Sequence, residues 1–267
     1  MRSLILVILV ACGGSPGGGG GDDGAGVDAK PMPTGNGTVF DPSIARVSIE
    51  IDYETGQAPF TGPIIGFGDT FDLTVANLER VFSGKKQLAI PRVQADMQDI
   101  GAVPDEELTV ADILALADAH RDQHDAAGTK TYYVIFVSGH FADASGVQSG
   151  VLGVSIGDTG VLAMFKDVIR STNVPAFPNV VRYVEQSTLI HELSHGIGLV
   201  DNGVPMVSAH KDTMHGAHCD DDKCVMYYLN EGASDAAAYA QQFVITGSSI
   251  LFDANCLADV DALTGGP

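Results

Sequence analysis

His191-Glu192-Leu193-Ser194-His195-Gly196-Ile197-Gly198 is the stretch on which the reading of this chain turns. On a helix, positions i and i+4 share a face, so His191 and His195 present two imidazole nitrogens to one metal ion while Glu192 stands beside them. Two ligands and a neighbouring carboxylate are the parts needed for metal-assisted hydrolysis. Residues 180–190 carry Val181, Val184, Leu189 and Ile190 with no glycine or proline, which predicts a helix packed on a core. Pro178 and Asn179 start that helix, and Gly198 helps to end it.

Upstream, residues 44–53 alternate apolar and polar side chains, with Val47, Ile49 and Ile51 on one face, and read as a first strand. Residues 70–82 place Phe71, Val75, Leu78 and Phe82 at helical spacing before Ser83-Gly84 ends the run. Residues 86–93 form a second strand, and Pro91 assigns it to an edge or a bulge. Residues 109–127 predict an amphipathic helix with Val110, Ile113, Leu114 and Ala117 inward and Gly128 as terminator. The unbroken apolar run Tyr132-Tyr133-Val134-Ile135-Phe136-Val137 marks a central strand covered on both faces. Residues 152–156 and 161–165 flank Gly157-Asp158-Thr159-Gly160 as a hairpin, although the second arm could equally open a helix through Ile169. Residues 231–243 predict a helix and 250–262 a last short element. This order predicts an α+β fold, a mixed twisted sheet over the helix of the motif, with a small C-terminal subdomain.

With 267 residues, 45% of them hydrophobic, the chain can bury a substantial core. Its formal charge of −20 excludes binding to nucleic acid or to an anionic membrane surface by electrostatics, because both require a basic face. Residues 1–11, Arg2 followed by an apolar run from Leu4, are too short to span a bilayer and read as a signal peptide. The run ends Leu9-Val10-Ala11-Cys12, similar to the lipobox of bacterial lipoproteins, which makes Cys12 the lipidated mature N-terminus. Residues 12–40, with five consecutive glycines at Gly17 to Gly21, then form a flexible tether. The remaining 41–267 are one domain, with an N-terminal subdomain to about residue 199. The expected location is the cell envelope, the domain standing outside the cytoplasm as a monomer held to the membrane by lipid alone. Gly13, rather than aspartate, after Cys12 fits sorting to an outer membrane.

Downstream of the motif stands a second block, His218-Cys219-Asp220-Asp221-Asp222-Lys223-Cys224-Val225-Met226. Together the two blocks resemble the metzincin metallopeptidases, whose signature extends H-E-x-x-H to G-x-x-[HD] and a later methionine turn. His191, Glu192, His195, Gly198 and Met226 match position by position, and His218-Cys219, Cys224 and Met226 reproduce the spacing found in the archaemetzincins. The resemblance covers about forty positions, 189–228. In the family the third histidine follows the glycine by three residues, where this chain has Asp201; His218 comes seventeen residues later, as an insertion between Leu199 and His218 would produce.

The resemblance implies a metzincin-like zincin fold and a catalytic Zn2+ held by His191, His195 and His218. Asp201 is the first alternative third ligand, with His210 or His215 after it, although Asp201-Asn202-Gly203 is also a turn sequence. The implied activity is a zinc-dependent metalloendopeptidase acting on a protein or peptide substrate. In it Glu192 takes a proton from water and returns it to the leaving amine, Tyr228 stabilises the tetrahedral intermediate, and Met226 forms an apolar floor. His210 and His215 decorate the inserted loop or approach the cleft.

Archaemetzincins use two cysteines at the positions of Cys219 and Cys224, plus a downstream C-x-x-C, for a second, structural zinc. This chain offers only Cys256 downstream, with Asp253 or Asp259 at the two possible fourth positions, so a disulfide among Cys219, Cys224 and Cys256 is the favoured reading for an oxidising compartment. His120 and His124 read as surface residues on the 109–127 helix, His140 as a loop residue, and Asp220 to Asp222 as solvated loop with weak calcium binding as a minor alternative. Two other functions compete. One is a gluzincin-type peptidase with Glu231 as third ligand; the other is a non-catalytic zinc- or partner-binding surface lipoprotein, against which Glu192 argues because pure binding needs no general base.

Overall fold

The alternating stretch becomes strand β1 (Arg46–Tyr53), followed by a short pair, β2 (Pro63–Ile64) and β3 (Gly68–Asp69), and helix α1 (Asp72–Val81). Three short strands, β4 (Gln87–Ala89), β5 (Gln98–Asp99) and β6 (Glu107–Leu108), lead to helix α2 (Val110–His120). The apolar run forms β7 (Thr129–Val137), then β8 (His140–Asp143), β9 (Gly146–Gln148) and the hairpin β10 (Gly153–Ser155) and β11 (Val161–Phe165). Helices α3 (Lys166–Ser171), α4 (Val180–Ile197), α5 (Ala233–Thr246) and α6 (Ala254–Thr264) complete the order. The computed structural model describes residues 34–64, 68–246 and 249–267, with side chains at all of these except 231, 234 and 241–246. Cys12, the signal-like run and the tether up to residue 33 lie outside the described residues.

The result is an α+β fold built on a mixed sheet of order β10-β11-β7-β1-β4, with β5 also paired to β1. All pairings are parallel except the β10–β11 hairpin. β7 lies in the middle and is buried on both faces from Lys130 onward, as its unbroken apolar run requires. β4 is an edge strand of only three residues, so the strand expected over 86–93 stops before Pro91. Both arms of the hairpin form, and α3 starts directly after β11, so the two alternatives for residues 161–169 follow one another in the chain. No helix among the described residues is long and apolar enough to cross a membrane.

Burial extends to polar groups of the sheet. The polar face of β1 is not exposed: Ser48, Glu50 and Asp52 are buried under the segment that follows α2. The Glu50 carboxylate accepts the backbone N–H groups of Asp122 and Gln123, both at 2.7 Å, and Ser48 donates to Gln123. The same bonds explain why α2 ends at His120 rather than at residue 127. N–H groups that would have continued the helix are bonded to a carboxylate from the sheet, and Arg121 turns its guanidinium onto the Thr131 and Thr159 carbonyls. His124 consequently leaves the helix face it was expected to share with His120. Residues 37–40 also pack against the domain. Val39 is fully buried, Phe40 packs on Phe82, and the Gly37 N–H caps the Ile197 carbonyl at 2.8 Å.

Between α3 and α4, Lys166 and Glu185 form an ion pair with both side chains fully buried, and the Lys166 ammonium lies 3.7 Å from the centre of the Phe60 ring. Removing one partner of such a pair costs about 3–5 kcal/mol because the other charge is left in the core. Asp52 is a buried charge of another kind. Burial pushes its pKa up to about 6, despite the hydrogen bond from the Tyr133 hydroxyl, and the neighbouring Glu50 and Asp122 add to the rise. The folded state therefore binds the Asp52 proton more tightly than the unfolded chain does. Stability is fully present below about pH 4 and falls as pH rises to about 6. Asp52→Asn is expected to remove that fall and to stabilise the protein at neutral pH by on the order of 2 kcal/mol. Urea unfolding across this window checks it, and parallel curves for the two proteins would refute it.

Candidate metal centre

α4 carries the motif on a helix buried over nearly its whole length, packed on β10 and β11 and surrounded by α1, α3 and α5. It ends at Gly198, whose φ of 103° is left-handed; an added Cβ there would stand 2.6 Å from the Gly37 nitrogen, so only glycine fits. The chain then turns away through Val200 and Asp201, both also left-handed at φ 55° and 58°.

His191 and His195 face one another with Nε2 atoms 3.0 Å apart, and His218 joins them, the ligand atoms of all three lying within 4.8 Å of one another. The His191 and His218 rings are stacked at 5.2 Å, and His195 stands edge-on to both. The outer nitrogens of His191 and His218 are held by carbonyls. His191 Nδ1 lies 2.7 Å from the Val225 oxygen, and His218 Nδ1 is bonded to the His215 oxygen. A carbonyl can only accept, so the proton of each ring sits on Nδ1 and the Nε2 lone pair faces inward, as for a metal-bound imidazole oriented by its outer hydrogen bond. Tetrahedral zinc with Zn–N near 2.0–2.1 Å sets its nitrogen ligands about 3.3 Å apart, so these three imidazoles fit that ion.

Glu192 is 2% exposed on the same helix. It reaches the edge strand β10, where Gly153 leaves it room: a Cβ at Gly153 would stand 3.0 Å from Glu192 Cγ. Met226 is fully buried in a tight turn closed by the Tyr227 N–H on the Cys224 oxygen, and the Cys219 N–H donates to the Met226 oxygen. Asn230 binds this turn from below, donating to the Cys224 and Val225 oxygens at 3.0 and 3.1 Å. Val225 thus holds His191 through its backbone, and Asn230 holds Val225. Neither has a sequence signal of its own, because the first acts through a carbonyl and the second through a contact made by folding.

Tyr228 is half-buried and lies flat on the His215 ring, centroids 3.6 Å apart at 2°, while His215 Nδ1 bonds Asp212 at 2.7 Å. Asp201 is absent from the histidine cluster. Its side chain is 56% exposed and pairs with Lys211 at 3.3 Å, in keeping with the turn reading of Asp201-Asn202-Gly203. His140 begins β8 and lies outside the cluster, while the side chain of Glu231 lies outside the described residues.

A second group of donors lies in the core. Cys219, Cys224 and Cys256 are buried free thiols, and the Cys224 and Cys256 sulfurs are 3.6 Å apart and unbonded. The Cys219 thiol is held far below its ordinary range by hydrogen bonds from Cys224 and Cys256; burial pushes Cys224 up, and the bond to Cys219 does the same for Cys256. Expected to decorate the inserted loop or approach the cleft, His210 instead joins this second group of donors. It is 1% exposed and points into this cluster. Asp253, Cys219, Cys256 and His210 form a group able to hold a metal.

No family model matches the chain, and no curated protein sequence matches it. Among solved structures, it is similar to archaemetzincin from Methanopyrus kandleri, at a TM-score of 0.44 and 14% identity over 84% of this chain and 99% of that one. It is also similar to a zinc-dependent peptidase from Methanocorpusculum labreanum, at 0.42 and 12% over 79% and 99%.

Proposed function

We propose that the chain is a zinc-dependent metalloendopeptidase of the metzincin type, with His191, His195 and His218 as zinc ligands and Glu192 as general base. The observation that carries this reading is the convergence of three inward-facing imidazoles, two of them fixed through Nδ1 by carbonyls, with a buried carboxylate on the same helix. Zinc held there supplies a polarised carbonyl and a water whose pKa falls to about 7. Glu192 accepts the proton of the attacking water and delivers it to the leaving nitrogen. Tyr228 donates a hydrogen bond to the oxygen that gains charge, with His215 stacked on its ring to hold it. β10 forms the sheet edge beside Glu192, so an extended peptide can add there as a further strand through backbone hydrogen bonds. Substrates on this reading are extended polypeptide segments.

Residues 1–11, Cys12 and the glycine-rich tether support an enzyme anchored by lipid at the cell envelope, its domain outside the cytoplasm. The test of function is hydrolysis of an unstructured protein by the purified chain. Activity is expected to disappear on chelation and return on adding zinc. Hydrolysis unaffected by removal of all bound metal would overturn the proposal.

A further inference from the structure

The inserted segment 200–217 is fastened to the domain at His210, which stands among three buried thiols. His210 Nδ1 lies 3.5 Å from Cys219 Sγ and 3.9 Å from Cys256 Sγ, and Cys256 Sγ lies 3.6 Å from Cys224 Sγ. Tetrahedral zinc, with Zn–S near 2.3 Å and Zn–N near 2.0–2.1 Å, separates two sulfurs by about 3.8 Å and a sulfur from a nitrogen by about 3.5 Å. These three spacings lie within about 0.4 Å of the edges of that tetrahedron, whereas a disulfide needs about 2.05 Å.

The other nitrogen of His210 supports the same assignment. Nε2 lies 2.7 Å from Asp259, which accepts its proton and leaves the Nδ1 lone pair facing the sulfurs. A histidine bound to a metal through one nitrogen and to a carboxylate through the other is the usual arrangement in zinc proteins. Asp259 is thereby committed, and it also accepts the Val207 N–H at 2.6 Å. Asp253 is committed as well: its two oxygens cap α6 by accepting from the Cys256 and Asn255 N–H groups. Its own N–H points at Cys224 Sγ, 3.5 Å away, as donors do around metal-bound thiolates. Of the three candidates for the fourth position, Asp259 holds His210 and Val207, Asp253 caps α6, and His210 directs Nδ1 at two of the sulfurs.

We propose that His210 is the fourth ligand of a second zinc ion bound by Cys219, Cys224 and Cys256, and that this bond locks the inserted segment onto the domain and holds His218 in place. The link to His218 is direct. Residues 210–212 run antiparallel beside 218–220: Lys211 bridges Cys219, the Asp220 N–H donates to the His210 oxygen at 2.9 Å, and the Asp212 N–H donates to the His218 oxygen at 2.7 Å. An ion on His210 and Cys219 thus ties both arms of this hairpin, one residue away from His218.

The test is metal loading of the full chain. Wild type is expected to hold two zinc ions. A His191→Ala, His195→Ala double variant is expected to keep one, and its cobalt form to show the charge-transfer absorption that thiolate ligands give and imidazoles do not. That arm keeps the proposal separate from the peptidase reading, because it has no dependence on activity. His210→Ala is expected to weaken the thiolate-bound ion at least tenfold and to open residues 200–217 to added protease, whereas His210→Cys restores both binding and protection. Absence of the thiolate absorption in the double variant, or thiol titration of the isolated protein finding two of its cysteines oxidised, would overturn the proposal. So would Asp253→Asn weakening the ion while His210→Ala leaves it unchanged.

Discussion

Glu192→Gln is expected to lower peptide hydrolysis by about 10³–10⁴-fold while the chain keeps its zinc and its thermal stability. General acid–base catalysis by one positioned group is worth about 10²–10⁴, and this carboxylate is asked to act twice, on the water and on the leaving nitrogen. Glutamine has the same shape and fits the space that Gly153 leaves beside Cγ. It can hydrogen-bond but cannot take a proton. The loss should fall on kcat, with KM nearly unchanged, because the group acts on the transition state. The readouts are steady-state kinetics on an unstructured protein and zinc content of the same sample. Wild-type turnover in the variant would sink the peptidase reading and favour a surface protein that binds zinc without using it.

His218→Ala is expected to empty the catalytic site, whereas Asp201→Ala should change neither zinc content nor activity. Losing an outer hydrogen bond to a ligand costs about 10–100-fold in metal affinity, and losing a ligand itself should cost more. Asp201 faces solvent beside Lys211, and an exposed pair of this kind contributes roughly 0–1 kcal/mol. The contrast therefore lies between complete loss of turnover and no measurable change. Zinc quantified on both variants, with the thiolate-bound ion distinguished by cobalt substitution, decides it. An Asp201→Ala protein stripped of its catalytic ion would reverse the assignment.

Local patterns were legible where one element is covered in a regular way. The two-faced burial of β7 follows from an unbroken apolar run, the hairpin from Gly157-Asp158-Thr159-Gly160, and the bounds of α4 from Asn179 and Gly198. Patterns misled where a polar residue was satisfied inside. Ser48, Glu50 and Asp52 alternate with apolar neighbours, yet each is buried and bonded to a side chain or backbone group distant in sequence. Polar character reports the need for a partner, which the core can supply as well as water. His210 escaped for the same reason: its partners Asp259 and Cys256 lie 49 and 46 residues away.

What the sequence by itself determined is the face that carries His191, Glu192 and His195. Four residues along a helix return a side chain to nearly the same direction, whatever surrounds it. Which side chain stands beside them depends on the tertiary structure. After Gly198, left-handed backbone at Val200 and Asp201 sends Asp201 outward to Lys211, and the antiparallel pairing of 210–212 with 218–220 brings His218 back to the helix. Spacing along the chain cannot distinguish these two outcomes, because the position of a residue beyond an insertion depends on what the insertion is fastened to.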